Sequence, residues 1–235
     1  MSWHDKMSIK QMLKIRDDFS ISTFAETGTY VGINARFHAN NFKHVLSCES
    51  SLEYFLIAAD KTIGLINVRL YCMDSSIFLK RFIEEYKKND RSDIVFFYLD
   101  AHFYDPKLPK EDRWVVVNEL KALRDFHNCI ICIHDFGCQG LGHLVYDGEN
   151  LDFNLVGPHL KEVNPNFNYY TNTKEWIDIH TAESIVDVVG MESDDDTLEC
   201  IRFAHTSETK RDRGILYCTP RELDLDKYQL KKGFS

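Results

Sequence analysis

The chain has 235 residues, a net charge of −9 and 44% hydrophobic residues. This length is typical of one large domain or two small ones, and the composition excludes a disordered or fibrous chain. The excess of acidic residues disfavours a protein that binds nucleic acid mainly through its charge. The chain starts with a polar segment unlike a signal peptide, and no stretch approaches the roughly 20 apolar residues that span a bilayer. We therefore expect a cytoplasmic protein that binds neither membranes nor nucleic acid.

Apolar segments alternate with helical patterns from the start of the chain to about residue 145. Strands are predicted at 24–25, 44–48, 67–72, 93–99 and 129–133, and helices at 33–41, 52–63, 77–88 and 114–126. Such alternation is typical of right-handed crossovers and of a mostly parallel sheet with helices on both faces. The predicted fold class is therefore α/β, with a Rossmann-like, doubly wound sheet.

The pattern weakens in the last third of the chain. Strands are predicted at 166–173 and 214–219 and a helix within 175–189, while the acidic run Asp194–Asp196 is interpreted as a solvated turn. No linker or break in composition marks a second domain. We expect one α/β domain with an N-terminal helical extension (1–22), a ligand-binding core (23–145) and a part that completes the sheet with an antiparallel strand pair and adds a pocket (146–235).

The seven cysteines predict reduced thiols, because their number is odd and no secretory signal precedes them. Cys129 and Cys132 have the CxxC spacing of zinc and redox sites. They lie in a predicted strand, however, where residues three apart point to opposite faces and cannot easily share a metal ion. A structural role for both thiols is the better interpretation.

Gly28 and Gly32 lie where the first strand turns into the first helix, a place where backbone approaches a ligand. A dinucleotide-binding turn has the spacing G-x-G-x-x-G, whereas this loop reads E-x-G-x-x-x-G, and Thr29 would bring a Cβ towards the pyrophosphate. A ligand made of an amino acid and a nucleoside, without a pyrophosphate, fits better. Glu26 is expected to attract its ammonium group, and amides near Gly32 and Asn34 its carboxylate.

Acidic residues also follow the second and third strands. Glu49 ends the second strand, where a carboxylate accepts hydrogen bonds from ribose hydroxyls. Asp74 and Ser75 end the third strand and are expected to border an adenine. Because open α/β sheets bind ligands at the carboxyl ends of their strands, this order predicts a nucleoside site.

The segment from Glu26 to Ala35, with Glu49, Asp74 and the strand that ends at Asp100, resembles class I S-adenosylmethionine-dependent methyltransferases. The nearest subgroup is the catechol type of small-molecule O-methyltransferase, with bacterial sugar and natural-product methyltransferases close to it. The resemblance implies S-adenosylmethionine as cofactor and a small-molecule acceptor. The residues it implies for cofactor binding are Glu26, Gly28, Thr29, Tyr30, Gly32, Asn34, Glu49, Ser50, Asp74, Ser75 and Asp100.

Asp100 and Asp135 follow two strands that we expect to be neighbours in the sheet. In catechol-type enzymes a divalent cation lies at the matching positions, so the resemblance implies Mg²⁺ or a similar ion at these two carboxylates. Phe136 stands where that family has an Asn ligand, and Phe103 where it has the Lys that acts as the base.

Two histidines are candidates for the missing base, because imidazole titrates near neutral pH, and the same two are candidate metal ligands. We predict that His102 takes the proton of the acceptor, with Asp100 and Asp135 orienting it or binding the metal ion. His134 is either a second catalytic group or a buried histidine at the end of a strand. Tyr104, Trp114 and Tyr146 are candidates for the wall of an acceptor pocket.

Other functions remain open at this point. The acceptor is expected to be a hydroxyl of a sugar or secondary metabolite, and the first alternative is a small amine, which needs less help from a base. A second alternative is a regulatory subunit that binds S-adenosylmethionine without turnover, and a homodimer is compatible with either. The glycine spacing disfavours a nicotinamide-dependent oxidoreductase.

Overall fold

The computed structural model describes residues 6–101, 104–138, 141, 143–172, 213–228 and 230–234. The described helices are α1 (Lys6–Asp18), α2 (Ile33–Ala39), α3 (Leu52–Lys61), α4 (Ser75–Lys88), α5 (Val115–Ala122), α6 (Phe153–Val163) and α7 (Leu225–Tyr228). None of them has the length and apolar character needed to cross a bilayer. The predicted helix within 175–189 and the acidic turn at 194–196 lie outside the described residues.

Eight of the ten described strands form one sheet in the order β10-β8-β9-β5-β4-β1-β2-β3. Their bounds are β1 (Thr23–Thr27), β2 (His44–Glu49), β3 (Val68–Cys72), β4 (Val95–Leu99), β5 (Cys129–Ile133), β8 (Asn168–Thr171), β9 (Leu216–Thr219) and β10 (Lys231–Lys232). The first five are parallel, and β9 is antiparallel to both β5 and β8. The Rossmann-like, doubly wound sheet and its antiparallel strand pair are therefore confirmed.

Two additions lie outside the predicted pattern. β10 adds a third antiparallel strand at the edge, paired with β8. β6 (Val145–Tyr146) and β7 (Glu149–Asn150) form a separate hairpin after β5. Each of these three strands is two residues long, too short to produce a recognisable alternation in the sequence.

The sheet separates two hydrophobic clusters, one on each face. Val95, Phe97 and Leu99 of β4 point into the cluster that holds α4, α5 and α6. Phe96 and Tyr98 point into the cluster that holds α1, α2 and α7. Because the side chains on both faces of β4 are buried, its sequence is a continuous apolar run.

The CxxC motif divides between these two clusters, as the strand periodicity predicts. Cys129 packs in the cluster with α4, α5 and α6, and Cys132 in the cluster on the opposite face. Both are free, fully buried thiols. Burial raises the pKa of each thiol far above its usual value, so neither is a reactive thiolate.

Candidate functional site

The order of the strands reverses between β1 and β4, and this switch point is where open α/β sheets bind ligands. Thr27 at the end of β1 is paired in register with Leu99 at the end of β4. The backbone N–H of Asp100 donates to Oγ1 of Thr27 at 3.2 Å. The turn after β1 and the residues after β4 therefore border one crevice.

Position 28 requires a glycine because its backbone lies very close to that of Asp100 in this crevice. Its φ is +78°, and a Cβ there would lie 2.6 Å from the carbonyl oxygen of Asp100. Its N–H donates to the carbonyl of Cys48 at 2.9 Å, which ties the turn to the end of β2 as well. Gly32, with φ of +83° at the start of α2, would bring a Cβ to 3.0 Å from Ala58. Both glycines thus meet the backbone requirement that the sequence predicts.

Glu26 is completely buried at the end of β1. The hydroxyl of Ser47 donates to its Oε2 at 2.7 Å, and Ser47 is also 2.6 Å from Oγ1 of Thr29. The other carboxylate oxygen, Oε1, is buried and has no hydrogen-bond partner. Burial raises the pKa of Glu26 to about 8, although Ser47 and Asn34 oppose the rise. The crevice therefore contains a buried acceptor atom with unused hydrogen-bonding capacity.

Glu49 is held in place by two backbone N–H groups. Tyr30 donates to Oε2 and Ser51 to Oε1, both at 2.9 Å. Tyr30 has a φ of +50°, an uncommon conformation for a tyrosine, and its bond to Glu49 helps to hold it. Both carboxylate oxygens keep lone pairs for further donors. Glu49 is thus oriented before any ligand binds.

The remaining predicted cofactor residues occupy different environments. Asn34 is buried in the first turn of α2, close to Glu26. Asp74 is the N-cap of α4, and its Oδ1 accepts from the N–H groups of Ser76 and Ile77. Ser75 is buried at the start of that helix, and Ser50 is exposed next to Glu49. For Asp74 the structure shows a helix-capping role, and contact with an adenine stays a prediction.

Asp100, His134 and Asp135 form a compact buried cluster at the ends of β4 and β5. Nδ1 of His134 is 3.1 Å from Oδ1 of Asp100 and 3.6 Å from Oδ2 of Asp135. Burial by itself lowers the pKa of His134, but Asp135 and Asp100 outweigh it and raise the pKa to about 10. The imidazole is therefore protonated at neutral pH. A protonated imidazole cannot accept a proton, and whether His134 has a catalytic or a structural role stays a prediction.

Arg213 completes this cluster, and sequence reasoning missed it. It forms an ion pair with Asp135, with Nε 2.9 Å from Oδ1. A signal was available, because Arg213 stands just before the last long strand. An antiparallel last strand begins at the edge where the parallel strands end.

The three aromatic candidates lie together beside the cluster. The Tyr104 and Tyr146 rings are stacked with centroids 5.0 Å apart, and the Trp114 ring is 5.2 Å from that of Tyr146. Burial raises the pKa of Tyr146, and the charge of Asp135 raises it further. Tyr104 and Tyr146 are half-buried, whereas Trp114 is buried. The expected aromatic wall is therefore present next to Asp135, and its contact with an acceptor stays a prediction.

His102 and Phe103 lie outside the described residues. The assignment of His102 as the base therefore depends on its sequence position, two residues after Asp100.

No protein-family model matches the sequence, and no curated protein matches it. Among solved structures, the chain is similar to the plantazolicin methyltransferase BamL in complex with a triazolic desmethylPZN analog and SAH, with 14% identity, coverage of 92% of this chain and 84% of that chain, and a TM-score of 0.47. It is also similar to a SAM-dependent methyltransferase from Anabaena variabilis, with 14% identity, 70% and 72% coverage and a TM-score of 0.44.

A third similar structure is the [4+2]-cyclase SpnF, with 12% identity, coverage of 93% of this chain and 82% of that chain, and a TM-score of 0.43. Two of these three descriptions name methyltransferases. All three TM-scores are below 0.5, and one structure is a cyclase, so these likenesses do not assign an activity to this chain.

Replacement of Gly28 by Ala is expected to destabilise the protein more than replacement of Gly64. Both glycines have a positive φ, but a Cβ at Gly64 meets no atom within 4 Å, whereas one at Gly28 would clash with Asp100. G64A should cost about 1 kcal/mol for the left-handed backbone, and G28A about 1–3 kcal/mol more. Urea denaturation of the two variants measures the difference. Equal losses would show that the close approach to Asp100 is not needed.

Replacement of Glu26 by Gln is expected to change how stability depends on pH. The pKa of Glu26 is about 8 in the folded protein, above the ordinary 4.5. Its contribution to stability is therefore complete below about pH 4.5 and is lost as the pH rises through 8, with a slope of up to about 1.4 kcal/mol per pH unit.

E26Q should lack this slope, so its stability relative to that of the unmodified protein should rise between about pH 5 and pH 8 and stay constant above that range. Urea denaturation across that range measures the effect, with E84Q on the exposed face of α4 as the control. The same slope in E26Q and in the unmodified protein would contradict this assignment.

Proposed function

We propose that this protein is an S-adenosylmethionine-dependent methyltransferase that acts on a hydroxyl group of a small molecule. The observation that carries the proposal is the buried Glu26, whose Oε1 lacks a partner at the switch point of the sheet. A buried acceptor atom without a donor is costly unless a ligand supplies one. The ammonium group of an amino-acid ligand is such a donor.

The other groups of the crevice match the rest of the same ligand. Glu49, oriented by Tyr30 and Ser51, has lone pairs for the two hydroxyls of a ribose. The N-terminus of α2, which begins after Gly32, has backbone N–H groups for a carboxylate. Gly28 packs so closely against Asp100 that no side chain fits between the two backbones. When bound, S-adenosylmethionine supplies an electrophilic methyl group.

The residues after β4 and β5 are proposed to handle the acceptor. His102 accepts the proton of the acceptor hydroxyl, since the pKa of about 10 makes His134 a poor base near neutral pH. His134 holds Asp100 and Asp135 in place through Nδ1. The rings of Tyr104 and Tyr146 form one wall for an apolar or sugar-like acceptor. In this arrangement catalysis depends mainly on orientation and deprotonation.

Calorimetric titration tests the cofactor. We expect the protein to bind S-adenosylmethionine and not NAD, and E49Q to bind S-adenosylmethionine at least about tenfold more weakly, because a charged acceptor is lost. E53Q, one turn away at the exposed start of α3, is the matched control and should bind normally. Binding of NAD in place of S-adenosylmethionine would contradict the proposal.

Transfer of a labelled methyl group to a panel of phenols, sugars and amines tests the chemistry. H102A should retain its affinity for S-adenosylmethionine and lose about 100-fold or more in turnover of hydroxyl acceptors. H127A, which changes an exposed histidine before β5, is the control. Undiminished turnover in H102A would remove His102 as the base. Turnover of amines alone would favour the amine alternative, and binding without turnover on any acceptor would favour a regulatory subunit.

A further inference from the structure

The guanidinium group of Arg213 faces the buried carboxylate of Asp135. Nε lies 2.9 Å from Oδ1 of Asp135 in an ion pair, and the Arg213 side chain is 27% exposed while that of Asp135 is 5% exposed. Nη1 of Arg213 is buried and has no hydrogen-bond partner. The guanidinium is always charged in proteins, so it places a permanent positive charge against a buried carboxylate. A second donor on the same group is still available.

The fold holds Arg213 in this position through its backbone. The N–H of Phe136 donates to the carbonyl of Gly214 at 2.8 Å, and a Cβ on Gly214 would lie 1.9 Å from the Phe136 carbonyl oxygen. The side-chain amide of Asn172 donates to the Arg213 carbonyl at 2.9 Å and accepts from the N–H of Ile215 at 2.8 Å. Arg213 is therefore fixed beside Asp135 by contacts on both sides of it.

The family resemblance implies a divalent cation at this same place. Donor atoms of Asp100, His134 and Asp135 do lie within 4.8 Å of one another. However, the carboxylates already face positively charged or N–H groups, because Arg213 occupies Oδ1 of Asp135 and His134 lies between Asp100 and Asp135. Phe136, which is fully buried, offers no ligand atom where the family has an Asn. The residues present do not fit the metal ion.

We propose that Arg213 is the resident cation of this site, so that the cluster works without a divalent metal. A dication bound at Asp135 would lie within a few ångströms of the fixed guanidinium charge, and their repulsion in a buried site is strong. A role of Arg213 in acceptor binding rests on the proposed function. In that role Nη1 would donate a hydrogen bond to an oxygen of the acceptor, in the place where a metal ion would otherwise bind that oxygen. The absence of metal binding is independent of that function.

The experiment titrates Mn²⁺, alone and without cofactor, into the purified protein and follows binding by electron paramagnetic resonance. The unmodified protein should bind no Mn²⁺ up to millimolar concentrations. Arg213→Met should bind Mn²⁺ at least tenfold more tightly than the unmodified protein, because Asp135 loses its partner. Arg213→Lys keeps the charge and should not bind, and Arg124→Met, which breaks the exposed pair with Glu162, is the control.

Micromolar binding of Mn²⁺ by the unmodified protein would overturn the proposal, and so would a folded Arg213→Met variant that gains no affinity. If Arg213→Met does not fold, the titrations of the unmodified protein and of Arg213→Lys still test the proposal, because micromolar Mn²⁺ binding by either one would overturn it. Because no cofactor or acceptor is present, these outcomes are distinguishable from the calorimetric test of S-adenosylmethionine binding.

Discussion

Three carboxylates are buried at one edge of the sheet, and the cost of burying their charge shapes the whole site. Glu26, Asp100 and Asp135 are each at most 5% exposed. A buried carboxylate must be protonated, paired or hydrogen-bonded, since an isolated charge in the interior costs many kcal/mol. Glu26 satisfies this requirement through a pKa of about 8. Asp100 and Asp135 satisfy it through His134, and Asp135 also through Arg213.

Protonation stabilises the buried Glu26, whereas ion pairs stabilise Asp100 and Asp135, so the crevice has two regions with different chemistry. On the β1 side, Glu26 is neutral at neutral pH, and a cationic ligand beside its partnerless Oε1 would favour the ionised carboxylate and lower the pKa of Glu26. On the β4 and β5 side, two carboxylates and two cations compensate one another. A neutral acceptor leaves that balance undisturbed. Gly28 and Asp100 join the regions, because their backbones approach too closely for any side chain to intervene.

Much of this arrangement is readable from local sequence. The glycines of the first turn, and Glu49 at the end of β2, follow from strand periodicity and from the rule that ligands bind at strand ends. The separation of Cys129 from Cys132 follows from the alternation of side chains in a strand. The helix within 175–189 and the base His102 lie outside the described residues, and both stay predictions.

Sequence by itself determined the α/β class, the parallel core and the candidate residues at the strand ends, because these depend on periodicities within short segments. Only the tertiary structure decided which charges meet. His134 and Asp135 are adjacent in sequence, but Arg213 stands just before β9, 78 positions after Asp135, and reaches it because β9 runs antiparallel to β5. The acidic excess of −9 does not reveal that contact, since net charge records how many charges there are and not which of them are buried together.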